Sequence, residues 1–125
     1  MILPILSYGS PILRKECDEF EEGESLKELV SDMFETMYAA SGVGLAGPQI
    51  GISKRIFTVD ASPFAEPEEG EELDEKLKEL KDFKKVFVNP IIENEAGTPW
   101  PFSEGCLSIP GINGDVVRPS NIKIH

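Results

Sequence analysis

The sequence predicts an α+β fold in which one amphipathic helix packs against several short antiparallel strands. Apolar residues recur at the helical period after Ser25. After Gly51 the chain changes to short runs rich in valine, isoleucine and phenylalanine, which are typical of strands. At 125 residues and 40% hydrophobic content, the chain is at the small end for burying one core. We therefore expect a single domain over residues 1–125.

The first elements in chain order are an extended arm and the helix. Residues 8–14 place turn residues between apolar ones and predict an arm that ends in a short turn. Ser25 and Glu28 have the spacing of a helix capping box, and Gly42 is expected to end the helix in the left-handed conformation. The stripe predicted to face the core consists of Leu26, Leu29, Val30, Met33, Phe34, Met37 and Tyr38. The alternative use of such a stripe is as a binding face.

The later part of the chain predicts strands. Residues 55–60 form one, and residues 85–92 form another that reaches up to or across Pro90. Residues 94–97 are a turn candidate, and we expect the segments on either side of it to form a hairpin. That hairpin would lead through Trp100 and Phe102, and later strand is expected around residues 116–117 and 122–124.

An acidic insertion separates the first two strands, at about residues 62–83. Leu73, Leu77 and Leu80 occur in it at helical spacing among charged residues. A charge run of this kind is usually a solvated face, so the insertion predicts a short surface helix or a partly disordered excursion. We assign it no chemistry.

The charge balance disfavours nucleic acid and membranes as partners. Twenty-three acidic and 12 basic residues give a formal net charge of -11, which repels phosphate backbones and anionic membrane surfaces. The apolar opening, Met1–Leu6, is too short for a signal core, lacks a basic flank and contains Pro4. No run approaches the roughly 20 apolar residues that span a bilayer. A cytoplasmic protein is expected.

Two cysteines occur, Cys17 and Cys106, and the sequence alone leaves their pairing open. Free thiols are the better interpretation, because cytosolic proteins keep thiols reduced and the chain lacks a dense cysteine framework. Cys17 lies among charged residues and is expected at the surface.

A glycine-rich segment, Gly-Val-Gly-Leu-Ala-Gly-Pro-Gln, occupies residues 42–49. Its glycines permit positive φ and a close approach by another backbone, and Pro48 fixes the direction in which Gln49 leaves. Such a backbone is suited to holding a peptide by main-chain hydrogen bonds. The spacing does not match a phosphate-binding or dinucleotide-binding loop. The plainer alternative is a connecting loop.

A second segment, Glu104-Gly105-Cys106-Leu107-Ser108, centres on a thiol. Gly105 leaves space beside the thiol, the Leu107 N–H can face the same volume, and residues 110–111 are expected to turn the chain away. A thiolate is both a nucleophile and a soft metal ligand. Nucleophilic catalysis needs a histidine to take the proton, and the single histidine, His125, is the last residue. A simply buried cysteine is the alternative.

Together and in this order, the two segments resemble the first two motifs of the peptide deformylase family, which removes the formyl group from the N-terminal methionine of new bacterial polypeptides. Gly47 stands where that family more often has alanine. The family's third motif, a helical His-Glu-x-x-His, does not occur in the 125 residues. The resemblance implies a deformylase-like fold that is C-terminally incomplete, with the metal-binding helix missing.

The resemblance also implies roles for individual residues. Cys106 matches a ligand of Fe²⁺, for which Zn²⁺ or Ni²⁺ can substitute, and the ligand set in this chain is incomplete. Gln49 and the Leu107 N–H match the donors that stabilise the oxyanion. The remaining matches are the substrate-groove positions Val43, Gly44 and Gly105 and a supporting ion pair between Glu104 and Arg118.

The implied substrates are N-formyl-Met peptides and nascent chains near the ribosome. We expect the chain to be inactive alone and to self-associate, because part of the core is exposed. Two alternatives stay open: a catalytically dead deformylase-like module that binds peptides, and an unrelated acidic interaction domain.

Overall fold

A computed structural model describes residues 1–21, 26–65 and 79–125. A long helix, α1, spans Lys27–Ala39. The strands are β1 (Gly44–Ala46), β2 (Ile56–Asp60), β3 (Lys84–Val88), β4 (Ile92–Ala96), β5 (Trp100–Cys106), β6 (Ile109–Arg118) and β7 (Asn121–Ile124). Short 3₁₀ turns lie at Pro11–Leu13, Gly47–Ile50 and Ser62–Ala65. The predicted mixture of one long helix and short antiparallel strands is confirmed.

The strands form three antiparallel sheets. One has the order β1-β2-β3, so β1 is an edge strand, while β4 pairs with β7 and β5 pairs with β6. The β5–β6 hairpin turns through residues 107–108, and its register shifts between Gly105 and Cys106. Because Gly105 opposes Asn113 and Cys106 opposes Ile109, residues 110–112 bulge out of the ladder.

The core lies between α1 and the three-stranded sheet. Met33 and Met37 are fully buried against Leu45 and Ile56, which are nearly so. This confirms that the apolar stripe of α1 faces a core, except at Tyr38, which is 47% exposed. Partly buried residues packed around them include Leu107 of the cysteine segment. The candidate site is therefore attached directly to the core.

The predicted start of α1 is not described by the structure, and its predicted end needs correction. Ser25, the expected cap, lies outside the described residues. At the other end the expectation for Gly42 was wrong, because the residue in the left-handed conformation is Ser41, with φ 57°. The Gly42 N–H instead donates to the Met37 carbonyl oxygen at 2.9 Å. This bond satisfies a carbonyl that the last turn of a helix leaves unpaired.

Two strand predictions also need correction. The second strand ends at Val88, before Asn89 takes φ 50°, so it does not cross Pro90. The hairpin expected around residues 94–97 does not form. Gly97 does turn the chain, with φ 85°, but β4 pairs with the distant β7.

The acidic insertion is described only at its two ends. Residues 66–78, including Leu73 and Leu77, lie outside the described part of the chain. Before them, Ser62–Ala65 forms one of the 3₁₀ turns. In the described ranges, no helix has both the length and the apolar character to cross a bilayer.

Candidate functional site

An open groove of about 650 Å³ lies between the glycine-rich segment and the β5–β6 hairpin. The residues of the candidate site that line it are Val43, Gly44, Gln49, Glu104, Gly105, Cys106 and Leu107. Arg118 is the one candidate that does not line the groove, and it contacts Glu104. Two segments more than 50 residues apart in the sequence are thus brought together on one cavity.

Gln49 is held by the 3₁₀ turn Gly47–Ile50 so that its amide points across the groove. Its Oε1 accepts a hydrogen bond from the Ala46 N–H at 2.9 Å. Its Nε2 donates to Cys106 Sγ at 3.5 Å and to Ser108 Oγ at 3.3 Å. Because the oxygen already binds the Ala46 N–H, the donor end of the amide faces the thiol.

Cys106 and Leu107 lie where β5 turns into β6. The Cys106 side chain is exposed, and both cysteines are free thiols as expected. Cys17 is only partly exposed, however, and not a fully exposed surface residue. Leu107 packs its side chain against the core and also lines the groove.

The glycine that ends the α1 turn makes room for Leu107. A Cβ added to Gly42 would lie 2.6 Å from Leu107 Cδ1, which is too close for any real contact. Gly44 and Gly47, like Gly42, are absent from the glycines with positive φ among the described residues. None of the three therefore uses the positive φ that glycine permits. The expected close approach by another backbone is confirmed at Gly47, where an added Cβ would lie 3.0 Å from the Ile52 and Lys54 carbonyl oxygens, while Gly42 makes room for a side chain.

The N-terminal arm connects the two segments from behind. The Leu6 N–H donates to the Gln49 carbonyl oxygen at 2.7 Å, and the Tyr8 N–H donates to the Ser108 carbonyl oxygen at 2.8 Å. A second hollow of about 280 Å³ beside the arm reaches Gln49 and Cys106. The arm thus fixes the separation of the two walls through main-chain bonds.

Among the described residues, β1 has a partner strand on one side only, and its other side offers a strand edge to the groove. One side of β1 pairs with β2, with Gly44 opposite Val59, and the Val43 carbonyl oxygen accepts from the Asp60 N–H at 2.8 Å. The other side of β1 is the edge of the sheet, where an extended peptide can add as a further strand. On the opposite wall, a side chain at Gly105 would displace Asn113, whose Oδ1 lies 2.4 Å from a Cβ built there.

Glu104 and Arg118 form a two-pronged ion pair across the hairpin. Arg118 Nε donates to Glu104 Oε2 at 2.6 Å, and Nη2 donates to Oε1 at 2.8 Å. The Arg118 bonds lower the pKa of the Glu104 carboxyl, and the same bonds raise the pKa of the guanidinium. The pair is solvent-accessible and therefore orients the wall of the groove more than it stabilises the fold.

The described residues do not make a complete metal centre. They hold no group of three or more histidine, cysteine, aspartate or glutamate side chains placed to bind an ion. His125 lies at the end of β7, where its exposed ring is 3.4 Å from Glu93, and it does not line the groove. Cys106 can supply one thiolate, which is less than the three protein ligands of a catalytic zinc site.

Sequence reasoning missed several residues of the site. Ser108 is buried, lines the second hollow and accepts from Gln49, yet it counted only as the end of a motif. Residues 110–112 do not turn the chain away but bulge into a wall of the groove. Phe64 and Phe102 also line it. No signal in the sequence places Phe64 there, since it lies in the insertion to which no chemistry was assigned.

An edge strand beside a groove, with an amide donor and a thiol at one end, defines a class of protein that can hold an extended peptide next to reactive groups. Comparisons with known proteins are consistent with this class. The sequence matches the polypeptide deformylase family over residues 2–125. The chain therefore belongs to the polypeptide deformylase family.

Individual relatives agree. The chain is 49% identical to a peptide deformylase of Christiangramia forsetii and 50% identical to one of Flavobacterium psychrophilum, in each case over 126 aligned residues that cover all of this chain. A crystal structure of a Synechococcus elongatus peptide deformylase in complex with actinonin is 32% identical, with a TM-score of 0.77, over 98% of this chain. The deformylase fold expected from the two motifs is confirmed.

The chain is shorter than these relatives. It covers 63% of the Christiangramia protein, 64% of the Flavobacterium protein and 59% of the Synechococcus chain. It thus spans less than two thirds of the length of each.

Proposed function

We propose that the protein is a peptide deformylase that hydrolyses the N-formyl group from the N-terminal formyl-methionine of nascent polypeptides. The observation that carries this proposal is the direction of the Gln49 amide, whose donor nitrogen faces Cys106 inside a groove that has a free strand edge. A formyl group placed beside Cys106 would have its oxygen within reach of that nitrogen.

Main-chain groups of the groove would bind the peptide. An extended substrate would pair with the free edge of β1 at Gly44 and with the Gly105 backbone on the other wall, and Val43 would line the groove beside it. Main-chain pairing is tolerant of side-chain identity, which suits an enzyme whose substrates share only their first residue. Glu104 and Arg118 would keep the β5 wall in position through their ion pair.

Two donors would stabilise the oxygen that becomes negative in the tetrahedral intermediate. They are Gln49 Nε2 and the Leu107 N–H, one from each wall. Both are fixed before substrate arrives, Gln49 by its bond from Ala46 and Leu107 by its side chain in the core. Removing one donor of this kind costs on the order of 10² to 10³ in rate.

Fe²⁺, with Zn²⁺ or Ni²⁺ as substitutes, is the cofactor that we propose for the whole protein, and Cys106 is the ligand that this chain contributes. A single thiolate does not hold a catalytic metal, so we propose that the 125-residue chain binds these ions poorly and has little activity alone. Cytoplasmic location and action on nascent chains near the ribosome belong to the same proposal.

A second function fits the incomplete ligand set. A deformylase-like module without catalysis would use the same groove and strand edge to bind peptides. The two proposals differ in what happens when a segment that carries the missing metal ligands is added. Only an enzyme would then hydrolyse the substrate.

Complementation in trans tests the proposal. A C-terminal fragment of a family member that carries His-Glu-x-x-His is mixed with this chain, and iron content and hydrolysis of a formyl-Met peptide are measured. We expect both to appear only in the mixture, because the ligands then come from two chains. Actinonin, which the Synechococcus elongatus protein holds, is expected to inhibit the mixture.

Two variants separate the roles within that mixture. Gln49→Ala should lower turnover about 10² to 10³-fold with iron content nearly unchanged, because its amide is proposed to act on the oxyanion. Cys106→Ala should lose both iron and turnover. If the fragments associate and bind iron but formyl-Met peptide is not hydrolysed, the enzymatic proposal is wrong and the peptide-binding module is favoured.

A further inference from the structure

Residues 40–44 and Phe64 line the groove beside β1, and we call them the rim. Asp60, the last residue of β2, is not among the groove residues of the described chain. Its N–H nevertheless donates to the carbonyl oxygen of Val43 at 2.8 Å. Asp60 is therefore bonded to the rim without lining the groove itself.

The Asp60 carboxylate bonds the segments that lead into the rim. Its Oδ2 accepts from the Tyr38 hydroxyl at 2.5 Å, and its Oδ1 accepts from the Ser62 N–H at 3.0 Å. Tyr38 lies two residues before the rim begins, and Ser62 lies two residues before Phe64, where it ends. One side chain thus connects the end of α1 to the 3₁₀ turn that follows β2.

The bond between Tyr38 and Asp60 lies outside the buried core. Met33 and Met37 of the same helix are fully buried, whereas Tyr38 remains 47% exposed. Lys84 stands opposite Asp60 in β3, and its ammonium lies 5.6 Å from the centroid of the Tyr38 ring. A solvent-accessible bond contributes less to folding than a buried one. The main consequence of this bond is thus the placement of the rim.

The rim needs such support because β1 is short. β1 has three residues, and among the described strands it pairs with β2 alone. The bond from Asp60 to Val43 continues this ladder by one residue beyond the pair of Gly44 with Val59. A peptide that adds to the other side of β1 needs N–H and carbonyl groups at ladder spacing, and hydrogen bonds weaken when their length or angle departs from it. A displaced rim would therefore bind a peptide less tightly.

We infer that Asp60 is a positioning residue for peptide binding, whose carboxylate holds the rim in place through Tyr38 and Ser62 before the peptide arrives. This inference rests on the proposed function, in which the edge of β1 pairs with a formyl-Met peptide. Groups that are arranged in advance lose less conformational freedom when a ligand binds. Asp60 touches no part of the peptide in this arrangement, because it does not line the groove.

Peptide affinity of the 125-residue chain tests the inference without requiring turnover. Formyl-Met-Ala-Ala amide is titrated calorimetrically into the wild type and each variant, under conditions in which urea unfolding shows that both are folded. Asp60→Ala should bind about 2- to 10-fold more weakly, the range that corresponds to one hydrogen bond. Asp60→Asn, which keeps one acceptor oxygen, should bind with intermediate affinity.

Asp82→Asn is the matched control. It removes the same charge from an exposed residue that lies two positions before Lys84 and outside the groove. It should leave peptide affinity unchanged, because the inference assigns the effect to hydrogen bonds and not to net charge.

A double-mutant cycle tests the route through Tyr38. Tyr38→Phe removes the hydroxyl and should weaken peptide binding by less than Asp60→Ala, which also loses the bond from Ser62. The double variant should bind as weakly as Asp60→Ala alone, because the hydroxyl has no carboxylate to bond once Asp60 is replaced. Fold-changes that multiply would show that the two side chains act independently.

Turnover in the complemented mixture separates positioning from catalysis, and it also provides the readout if peptide binds only in the mixture. Asp60→Ala should raise KM about 2- to 10-fold there with kcat nearly unchanged, since the rim binds the peptide and does not act on the formyl group. Gln49→Ala is expected to show the opposite split, with a lower kcat. A loss of folding alone would lower the amount of active enzyme and leave KM unchanged.

The outcomes distinguish the inference from the function on which it rests. Wild-type affinity and KM in Asp60→Ala, or an equal loss in Asp82→Asn, would overturn the inference and leave the groove as a peptide site. If Asp60→Ala does not fold, unchanged affinity in both Asp60→Asn and Tyr38→Phe overturns it. A wild-type chain that binds no formyl-Met peptide, alone or in the mixture, would overturn both proposals. Weaker binding in Asp60→Ala that Tyr38→Phe does not deepen supports the assignment.

Discussion

The direction of the Gln49 side chain depends on a hydrogen bond to the main chain. The Ala46 N–H donates to the amide oxygen, so the amide nitrogen is the end that donates to Cys106 and Ser108. The resemblance of the glycine-rich segment to the family motif implied Gln49 as a site residue. The contact with Ser108 was not predictable, because a 59-residue separation hides it from any local pattern.

A glycine was expected to be required at position 42 for its backbone conformation, but it is required there to make room for Leu107. We expect Gly42→Ala to lower the free energy of unfolding by about 1–3 kcal/mol, because the new Cβ would lie 2.6 Å from Leu107 Cδ1. Urea unfolding measures this change. Gly114→Ala is the matched control, since a Cβ there meets nothing within 4 Å. Equal stabilities for the two variants would show that Leu107 moves aside without cost.

Tyr38 couples stability to alkaline pH. Burial and the hydrogen bond to Asp60 raise the pKa of Tyr38 from 10.0 to about 12. Because the folded-state pKa lies above the unfolded one, the contribution is fully present below pH 10.0 and is lost as pH rises through about 12. The hydrogen bonds from Ser62 and Tyr38 lower the pKa of Asp60, so its contribution is present above pH 3.8 and is lost on acidification.

Tyr38→Phe should remove the alkaline part of this dependence. Urea midpoints of the wild type and the variant are compared between pH of about 9 and about 12, so that titration common to both, such as that of lysines, cancels. We expect the wild-type advantage to shrink across this range as the Tyr38 hydroxyl ionises. A difference that stays constant with pH would contradict the assignment of the hydroxyl to Asp60.

At the scale of elements, the sequence predicted a helix or strand correctly where the pattern lies within the element itself. Apolar residues at the helical period predicted α1, and a run of β-branched and aromatic residues predicted β2. The hairpin around Gly97 failed, because the turn residue was right but the partner strand was not. Pairing of β4 with β7 closes a loop that contains the whole β5–β6 hairpin. A pairing between strands this far apart in the sequence cannot be predicted from the pattern of neighbouring residues.

The arm before residue 9 connects two segments that are far apart in the sequence, which only the structure shows. Its main-chain bonds reach Gln49, which lines the groove, and Ser108, which follows the groove residues Cys106 and Leu107. We expect Tyr8→Pro to remove the N–H that bonds Ser108 and to lower the free energy of unfolding by about 1–3 kcal/mol. Peptide affinity should also fall, because the two walls lose a connection.

Tyr8→Ala is the control for that change. It keeps the N–H and removes only an exposed side chain, so its effect should be much smaller. Urea unfolding and peptide titration are measured on both variants. If alanine and proline have the same effect, the side chain and not the main-chain bond connects the arm to the groove.

At the scale of the whole molecule, the described chain exposes much apolar surface on its smaller sheets. The sequence predicted strand at Ile92, Val117 and Ile122 but not at Ile112, and it did not indicate what would cover these side chains. The large apolar side chains that are exposed on β4, β6 and β7 are Ile92, Ile112, Val117 and Ile122. The chain spans less than two thirds of the relatives with which it aligns. Apolar patches and open strand edges of this kind promote association in water.

We therefore expect the 125-residue chain to self-associate, with a sedimentation coefficient that rises with concentration. Replacing Val117 and Ile122 together by lysine should weaken association, because each lysine puts a charge on the apolar surface. Asn121→Lys is the control for an added lysine, since it puts one such charge on β7 at an exposed polar position and should leave association unchanged. A wild-type chain that stays monomeric at every concentration, and unfolds in one sharp transition independent of concentration, would show that these surfaces are tolerated in water.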